Sequence, residues 1–369
     1  MARIYFIGLG CAKNEVDGQV LLGLAAARGH RIVSTVEEAD TIVVNTCAFI
    51  EQAREESIEA ILEVARNKGR ERRLVVTGCL AQRYGRELLE ELPEVDAVLG
   101  SGMLERVDSV LESNERSALV GPPHLLADAN TPRWMPEHAG WAYLKISDGC
   151  DHECSFCSIP SFRGPHRSRP PEDVVAEAER LAAAGVVELN LVGQDVSAYG
   201  RDRGRRGELG ELLERLARVP GIERIRCLYL YPNTLDRSVL GAMAACDKVC
   251  PYIDIPLQHA DAGVLRAMRR GGDARTLLRL IEEIRQAIPD AAIRSTFIVG
   301  FPGETDEAFA RLCEFVRRAR FDRIAVFEFS PEAGTAAARL GGRVPRALKR
   351  RRRDELLALQ EEVSAERLA

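Results

Sequence analysis

Short apolar runs alternate with amphipathic segments through about the first 120 residues of the chain. Each run is rich in Val and Ile, as buried parallel strands are, and each following segment carries apolar residues at helical spacing. This alternation predicts three βα units, and therefore a Rossmann-like parallel α/β domain over residues 1–120. The runs and the segments that follow them read RIYFIGLGC and EVDGQVLLGLAAARG, TIVVNTC and FIEQAREESIEAILEVARNKG, RLVVTGC and LAQRYGRELLEEL.

A second region, residues 142–345, repeats the alternation at longer spacing, with helical segments such as PPEDVVAEAERLAAAG and TLLRLIEEIRQAI. Six successive βα units indicate a barrel. About 200 residues is short for a complete eight-unit barrel of roughly 250, so we expect an incomplete (β/α)6 barrel. The six predicted strands read WAYLKIS, VELNLVG, RIRCLYL, PYIDIPL, AIRSTFIVG and DRIAVFEFS.

Two stretches lie outside these regions. Residues 121–141 contain four of the seventeen prolines and show no clear periodicity, which predicts a linker. Residues 346–369 read RALKRRRRDELLALQEEVSAERLA, which predicts one long charged helix. Its basic run could contact RNA phosphates, but a solvated helix face is the simpler interpretation.

The composition is that of a soluble globular chain, with 46% hydrophobic and 29% charged residues among 369. No apolar stretch approaches the roughly 20 residues needed to cross a bilayer, and the apolar run at the start is too short for a signal peptide. We therefore expect a cytoplasmic protein with no membrane association. In that compartment the ten cysteines stay reduced, which favours metal binding or catalysis over disulfides. The net charge of −5 gives no general basic field for nucleic acid.

Three cysteines occupy the same position relative to successive predicted strands. Cys11, Cys47 and Cys79 directly follow apolar runs, in the contexts GLGC, NTC and TGC. Because parallel strands end at one edge of a sheet, where such folds bind ligands, we expect the three thiols to converge. A closed zinc site needs four ligands, so three favour a metal centre with one open position. The alternative is that each is a small buried hydrophobic residue.

Three further cysteines lie in DGCDHECSFCS, between Asp148 and Ser158, with C-x3-C-x2-C spacing. They follow the first predicted barrel strand, at the end where barrel enzymes keep their chemistry. No distant second pair completes a zinc site, and a third cysteine makes thiol–disulfide chemistry a poorer interpretation. Three thiolates suit a cubane iron–sulfur cluster with one iron open. These ligands would be Cys150, Cys154 and Cys157, and the four cysteines interpreted as structural are Cys227, Cys246, Cys250 and Cys313.

The same spacing, with Phe156 directly before the last cysteine, resembles the signature of radical S-adenosylmethionine (SAM) enzymes. The resemblance implies that the open iron of a 4Fe-4S cluster binds SAM, and that one electron from the cluster cleaves SAM to a 5'-deoxyadenosyl radical. It also implies a flavodoxin- or ferredoxin-like electron donor. Ordinary strand-end packing is the alternative for each candidate SAM contact at the barrel mouth, and these candidates are Phe156, Gly193, Gln194, Gln258, Ile298 and Glu304.

The N-terminal GLGCAKNEVD, NTC and TGC, ahead of such a barrel, resemble the methylthiotransferases. Carried over, Cys11, Cys47 and Cys79 would hold a second, auxiliary 4Fe-4S cluster, whose open iron would bind the sulfur that is methylated and inserted. One SAM would methylate this sulfur and a second would supply the radical. A sulfur donor is implied as well. No side chain is assigned a catalytic role, because the cofactors carry the chemistry.

Several stretches resemble the RimO type of methylthiotransferase, which modifies the β-carbon of an aspartate in ribosomal protein S-twelve. The resemblance implies this protein, or the small ribosomal subunit, as the partner. The alternative is the transfer-RNA type, which methylthiolates an adenosine next to the anticodon and tends to carry QN at Gln194-Asp195 and QSG at Gln258 to Ala260. A non-catalytic iron–sulfur scaffold is a third possibility. The matching stretches are FIEQAREESIEAI, LKISDGCDHECSFCSIPSFRGPHRSRP, GQDVSAYG, LYLYP, YIDIPLQHA and GFPGET, the last shared by both types.

Two features depart from the family pattern. The usual Asp-Ser-Glu after the first motif is Asp17-Gly18-Gln19, which is expected to alter a contact near the auxiliary cluster without removing a ligand. The family normally ends in a small β-barrel, the TRAM domain, which helps to bind the substrate. We expect this chain to lack that domain, because no strand-rich segment follows Arg353.

Overall fold

The computed structural model describes residues 1–69, 71–136 and 139–368, and the chain divides into two compact units. No helix among the described residues is long and apolar enough to cross a membrane. The first unit comprises Met1–Ala139, Tyr143–Cys150 and Ile159–Glu177, and the second Gly140–Ala142, Asp151–Ser158 and Ala178–Ala369.

The first unit is built on a six-stranded sheet in the order β2-β1-β3-β4-β5-β6, in which every neighbouring pair is parallel. The predicted parallel α/β domain is confirmed. The three predicted strands are β1, β3 and β4, whereas the other three have only two to four residues, too few for a periodic pattern. The strands are β1 (Arg3–Gly8), β2 (Arg31–Ile32), β3 (Thr41–Thr46), β4 (Arg73–Gly78), β5 (Ala97–Gly100) and β6 (Ser117–Leu119).

Helices follow the predicted strands of this unit, as the amphipathic segments indicated. A short antiparallel pair of strands, β8 (Ser147–Asp148) and β9 (Arg167–Ser168), lies in the later segments of the same unit. The helices are α1 (Ala12–Ala27), α2 (Glu51–Asn67), α3 (Cys79–Glu91), α4 (Val107–Leu111) and α5 (Ile159–Arg163).

Residues of the predicted linker form no helix or strand between Leu119 and Trp141, within the part that the structure describes. They nevertheless pack closely on α1. The backbone of Pro132 approaches Gly23 so closely that a Cβ there would lie 2.4 Å from the Pro132 carbonyl oxygen. Trp134 donates its backbone N–H to the carbonyl oxygen of Gln19 at 2.9 Å. These contacts hold the segment against the first unit.

All six strands predicted for the second region are present. In the second unit β10 pairs with β11, β12 with β13 and β13 with β14, and each pair is parallel. Gly140, just before the first of the six strands, accepts the backbone N–H of Val187 at 2.9 Å. The six are β7 (Trp141–Lys145), β10 (Glu188–Val192), β11 (Arg224–Cys227), β12 (Tyr252–Asp254), β13 (Ala292–Val299) and β14 (Arg323–Glu328).

The helices of the second region include the predicted long charged helix at the end of the chain. One face of this helix is buried through Leu356, Leu359 and Val363. Its Gln360 donates to the carbonyl oxygen of Phe321 at 2.7 Å. The helix is therefore a packed element. The helices are α6 (Pro171–Ala183), α7 (Glu208–Ala217), α8 (Arg237–Ala245), α9 (Ala262–Ala267), α10 (Ala274–Ala287), α11 (Asp306–Ala319) and α12 (Arg346–Leu368).

The turn from β4 into α3 depends on Gly78. Its φ is +91°, a left-handed conformation, and a Cβ at this position would lie 2.4 Å from Oδ1 of Asn45 and 2.5 Å from the carbonyl oxygen of Thr46. Both atoms belong to β3, the neighbouring strand. Glycine is therefore needed both for the backbone conformation and for the close approach of β3.

We predict that Gly78→Ala destabilises the iron-free protein by about 2–4 kcal/mol, because alanine is strained at positive φ and also overpacks the β3 contact. Urea unfolding followed by far-ultraviolet circular dichroism measures the effect. The matched control is Gly241→Ala within α8, where an added Cβ meets no atom within 4 Å. That control should be neutral or stabilising by about 0.5–1 kcal/mol. Equal effects of the two substitutions would contradict the prediction.

Candidate functional site

Three cysteines follow the ends of adjacent strands in the first unit. The strands β1, β3 and β4 are neighbours in the sheet, and Cys11, Cys47 and Cys79 follow their ends. Burial raises the pKa of Cys47, and a charge on Cys11 adds to that shift. Burial raises the pKa of Cys79 to about 11, with further contributions from the other two thiols. A charge on one of these thiols thus affects the pKa of another, and their role as ligands of one cluster stays a prediction.

Asn14 joins the backbone around these thiols. Its side-chain amide donates to the carbonyl oxygens of Leu9, at 2.7 Å, and Thr46, at 3.2 Å. Its Oδ1 lies 3.8 Å from Sγ of Cys79. Asn14 is fully buried and lies on the first turn of α1. One amide therefore fixes the loop before Cys11, the end of β3 before Cys47, and the thiol of Cys79.

The surroundings favour the ionised form of one of the three thiols, Cys11. Burial opposes ionisation of Cys11, yet Lys13, the backbone N–H of Asn14 and Arg163 together lower its pKa. Cys11 caps the start of α1, and Cys79 is the first residue of α3. Helix N-termini stabilise thiolates, and a bound metal completes the ionisation of buried thiols.

The donor set of three thiols fits an iron–sulfur cluster, since such clusters bind cysteine thiolates. Among the residues described, no three His, Cys, Asp or Glu side chains lie close enough together to hold a single metal ion.

The second cysteine group begins in the first unit with Cys150. Its backbone N–H donates to the carbonyl oxygen of Gly164 at 3.0 Å. Gly149, directly before it, has a φ of +82° and leaves no space for a Cβ, which would lie 1.9 Å from the carbonyl oxygen of Pro165. The backbone that leads into the loop is thus fixed by the turn after α5.

The other two cysteines of the group, Cys154 and Cys157, lie in the second unit. The backbone N–H of Cys157 donates to the carbonyl oxygen of Cys154 at 3.1 Å. Between them, Ser155 donates its backbone N–H to Met268 at 3.0 Å and its hydroxyl to Ala267 at 2.7 Å. These bonds hold the loop on the end of α9.

Cys154 lies beside a stack of three side chains. The guanidinium of Arg270 is 3.7 Å from its Sγ, and the hydroxyl of Tyr231 is 3.9 Å away. Arg270 stacks on the Tyr231 ring at 4.2 Å, and the His152 ring stacks on that ring at 3.7 Å with an interplanar angle of 9°. Asp195, which is buried, holds His152 through a 2.7 Å contact.

This arrangement brings together two stretches that are far apart in the sequence. Asp195 belongs to GQDVSAYG and Tyr231 to LYLYP. Burial opposes ionisation of Asp195, but hydrogen bonds from His152, Ser197 and Thr234 lower its pKa. The carboxylate is therefore charged and fixes the His152 ring beside the cysteine loop.

Four of the six candidate SAM contacts are connected in the second unit. Gln258 donates its backbone N–H to Thr296 and accepts that of Ile298, each at 2.8 Å. Phe156 and Ile298 pack against one buried cluster that includes Phe301. Phe301 in turn donates its backbone N–H to the Glu304 carboxylate at 3.2 Å. Gly193 and Gln194 follow directly after β10.

Gln258 combines a strained backbone conformation with an unpaired buried side-chain atom. Its φ is +70°, which is strained for a non-glycine residue. Its Oε1 atom is buried and has no hydrogen-bond partner. Buried polar atoms are normally satisfied, and strained backbone gathers at ligand sites. Both features fit a residue that contacts a bound cofactor.

The Glu304 carboxylate is used within the protein. It accepts the backbone N–H groups of Gly300 and Phe301, and Arg352 donates to it at 3.1 Å. Glu304 therefore closes the loop from Gly300 to Thr305, and its contact with SAM stays a prediction.

Arg352 comes from the basic run of α12 and is buried, with 2% of its side chain exposed. It also binds Asp306 at 2.7 Å. Nearby, Lys349 donates to the carbonyl oxygen of Phe329 at 2.7 Å. The basic run is thus partly structural, and its exposed members include Arg350 and Arg351.

Two family models match parts of this chain, and relatives match it over almost its whole length. Residues 3–100 match the Uncharacterized protein family UPF0004, and residues 144–316 match the Radical SAM superfamily. A ribosomal protein uS12 methylthiotransferase RimO from Anaeromyxobacter sp. (strain Fw109-5) is 48% identical over 369 residues, which is 99% of this chain and 78% of the relative. The protein of the same name from Sorangium cellulosum is 46% identical, over 100% of this chain and 77% of the relative.

This chain belongs to the RimO family. As a member of that family it is a radical SAM methylthiotransferase, with SAM and 4Fe-4S clusters as cofactors. Among solved structures, the radical SAM methyltransferase TsrM from Kitasatospora setae, solved with cobalamin and a 4Fe-4S cluster, has a TM-score of 0.64 at 15% identity, over 91% of this chain and 77% of that chain. This likeness confirms the expected fold class.

Several site residues of this RimO-family chain were not found by sequence analysis. The cysteine spacing identified the thiols, but it carries no information on side chains that reach them from distant segments. Asn14 could have been predicted from the sequence. An asparagine three residues after the N-cap cysteine of a helix can hydrogen-bond to the backbone of the preceding loop. The missed residues are Asn14, Arg163, Tyr231, Arg270 and Arg352.

We predict that Arg352→Met destabilises the protein by about 3–5 kcal/mol, because it leaves the Glu304 carboxylate buried without its partner. Burial already raises the pKa of Glu304 to about 6, from an ordinary 4.5. The protonated form is therefore preferred in the fold, and its stabilising contribution is lost as pH rises from below 4.5 through 6. Without Arg352 this loss extends to higher pH, so the defect should be larger at pH 8 than at pH 5 in urea unfolding.

Two further variants test the cause. Arg350→Met changes an exposed arginine of the same helix and should leave stability unchanged within about 0.5 kcal/mol. Combining Arg352→Met with Glu304→Gln should recover stability at pH 8. A defect of Arg352→Met that is independent of pH would refute the role of Glu304.

Proposed function

We propose that this chain adds a methylthio group to the β-carbon of an aspartate in ribosomal protein uS12, the S-twelve protein of the small subunit. The RimO relatives carry uS12 in their names and align over essentially the whole chain. The observation that carries the proposal is that Cys11, Cys47 and Cys79 each follow one of three adjacent parallel strands, in a chain that also has a radical SAM cysteine loop.

We assign the two cysteine groups to two clusters. Cys150, Cys154 and Cys157 would hold the cluster that binds SAM, and Cys11, Cys47 and Cys79 the auxiliary cluster. When bound, the clusters and SAM supply the reducing electron, the radical and the sulfur. The chain itself positions the thiols, and it offers the strained Gln258 and the loop closed by Glu304 to the cofactor.

The further partners are part of the same proposal. Cleavage of SAM needs a low-potential electron, which a flavodoxin- or ferredoxin-like protein would deliver, and each turnover consumes a sulfur atom that a donor must replace. We also propose a cytoplasmic site of action, because the proposed substrate is a ribosomal protein.

We predict that replacing Cys11, Cys47 and Cys79 together by alanine removes about half of the iron after anaerobic reconstitution, since each cubane holds about four irons. Replacing Cys150, Cys154 and Cys157 should remove the other half and abolish formation of 5'-deoxyadenosine. The measurements are iron and sulfide analysis with chromatography of the products. Cys246→Ala, a substitution at one of the cysteines interpreted as structural, is the matched control and should keep full iron content. Unchanged iron in the first triple variant would overturn the auxiliary-cluster assignment.

The substrate is tested by competition. Reconstituted enzyme is offered uS12 and transfer RNA together, with SAM, a reductant and a sulfide source, and both products are examined by mass spectrometry. We expect methylthio mass on uS12, and none on uS12 in which the target aspartate is replaced by asparagine. Methylthio mass on the RNA alone would identify the transfer-RNA type of activity. SAM cleavage without modification of either molecule would refute both substrates.

A further inference from the structure

We infer that Arg163 is a positioning residue for the auxiliary cluster, which sets the reduction potential of that cluster through the sulfur of Cys79. The inference rests on the proposed assignment of Cys79 as a cluster ligand. Arg163 belongs to the segment SFRGP and lies 84 positions after Cys79 in the chain.

Arg163 reaches Cys79 directly. One terminal nitrogen of its guanidinium lies 3.1 Å from Sγ of Cys79, and only 3% of the side chain is exposed. An arginine held this way donates an oriented N–H to the sulfur and brings a permanent positive charge. The pKa of the arginine is raised further, since its carboxylate and thiol partners outweigh burial.

Two buried carboxylates hold the guanidinium in this position. The other terminal nitrogen contacts Asp17 closely and lies 3.5 Å from Asp148. Lys145 binds the same two carboxylates, in close contact with Asp17 and at 3.2 Å from Asp148. All four charged side chains are at most 7% exposed.

The charges of this network balance without the thiol. Arg163 and Lys145 carry two positive charges, and Asp17 and Asp148 carry two negative charges. An ionised Cys79 adds one negative charge, which the Arg163 guanidinium must also stabilise. Buried ion pairs are seldom more stabilising than apolar side chains of similar size, so stability alone does not account for four buried charges beside a cluster ligand.

The same segment fixes the backbone of the second cysteine group. Gly164, next to Arg163, accepts the backbone N–H of Cys150 at 3.0 Å. Asp148 accepts the backbone N–H of Gly149 at 2.9 Å. The turn at Arg163 and Gly164 therefore touches a proposed ligand of each cluster, through a sulfur in one case and through the backbone in the other.

The expected effect on the auxiliary cluster has a definite sign. Hydrogen bonds and positive charge near the ligand sulfurs stabilise the reduced cluster and raise its potential. Loss of Arg163 should therefore lower the reduction potential of the auxiliary cluster. Loss of Lys145, which contacts the carboxylates and is not bonded to the thiol, should have a smaller effect.

The test is a redox titration of the full chain with both clusters, followed by electron paramagnetic resonance. Addition of SAM separates the two signals, because SAM binds only one cluster. We expect Arg163→Met to shift the auxiliary-cluster potential downward with little change in the SAM-binding cluster, Lys145→Met to shift it less, and Arg163→Lys to restore part of the potential. If Arg163→Met yields no folded protein, Arg163→Lys tests the role of Arg163 instead. It should lower the auxiliary-cluster potential relative to that of the unsubstituted protein.

The outcomes separate this inference from the proposed function. If Cys79→Ala keeps both clusters and their iron, the ligand assignment fails before Arg163 is considered. If both clusters are present and Arg163→Met shifts the auxiliary potential no more than Lys145→Met does, the positioning role is refuted although the clusters stand.

Discussion

The parallel pairing of β1, β3 and β4 is the constraint on which the first cysteine group depends. Adjacent parallel strands end at the same edge, so one residue placed just beyond each strand converges with the others without any long-range signal in the sequence. The turn at Gly78 makes the approach close enough, because any larger residue there would strike β3. Asn14 then joins the strand ends into one rigid frame. On the proposed assignment of these cysteines to a cluster, such a frame lowers the cost of ordering the thiols when the metal binds.

Burial of these thiols disfavours their charged forms, and charged side chains from distant parts of the sequence oppose this effect. Desolvation raises the pKa of Cys47 and Cys79, so the fold alone favours their neutral forms. Arg163 opposes this at Cys79, and it is itself balanced by Asp17 and Asp148. Asp17 comes from the motif that carries Cys11, and Asp148 lies two residues before Cys150. Both carboxylates therefore come from segments that carry cysteines, so the positions of these charges depend on the positions of the cysteines.

The parts of the fold and site that could be predicted were those with local signals. Long strands and helices show periodicity, and the six cysteines show spacing, so both were found. The strands β2, β5 and β6 are too short to show a period. Arg163, Arg270 and Arg352 contact residues that are far from them in the sequence. The composition does not distinguish them from the many other arginines of the chain. The basic run of α12 was misleading for this reason, since charge density suggests solvent exposure whereas Arg352 is buried in an ion pair.

Gln258 has a strained backbone conformation that its surroundings must maintain. A residue at positive φ with an unsatisfied amide oxygen is unfavourable by about 1–3 kcal/mol for the backbone alone, and it persists only where neighbours over-determine it. Here hydrogen bonds to Thr296 and Ile298 fix both sides of the residue on β13. The next turn of the chain, from Gly300 to Thr305, is closed by Glu304, which is fixed in turn by Arg352 of α12. The strain is therefore borne by the packing of β13 and α12.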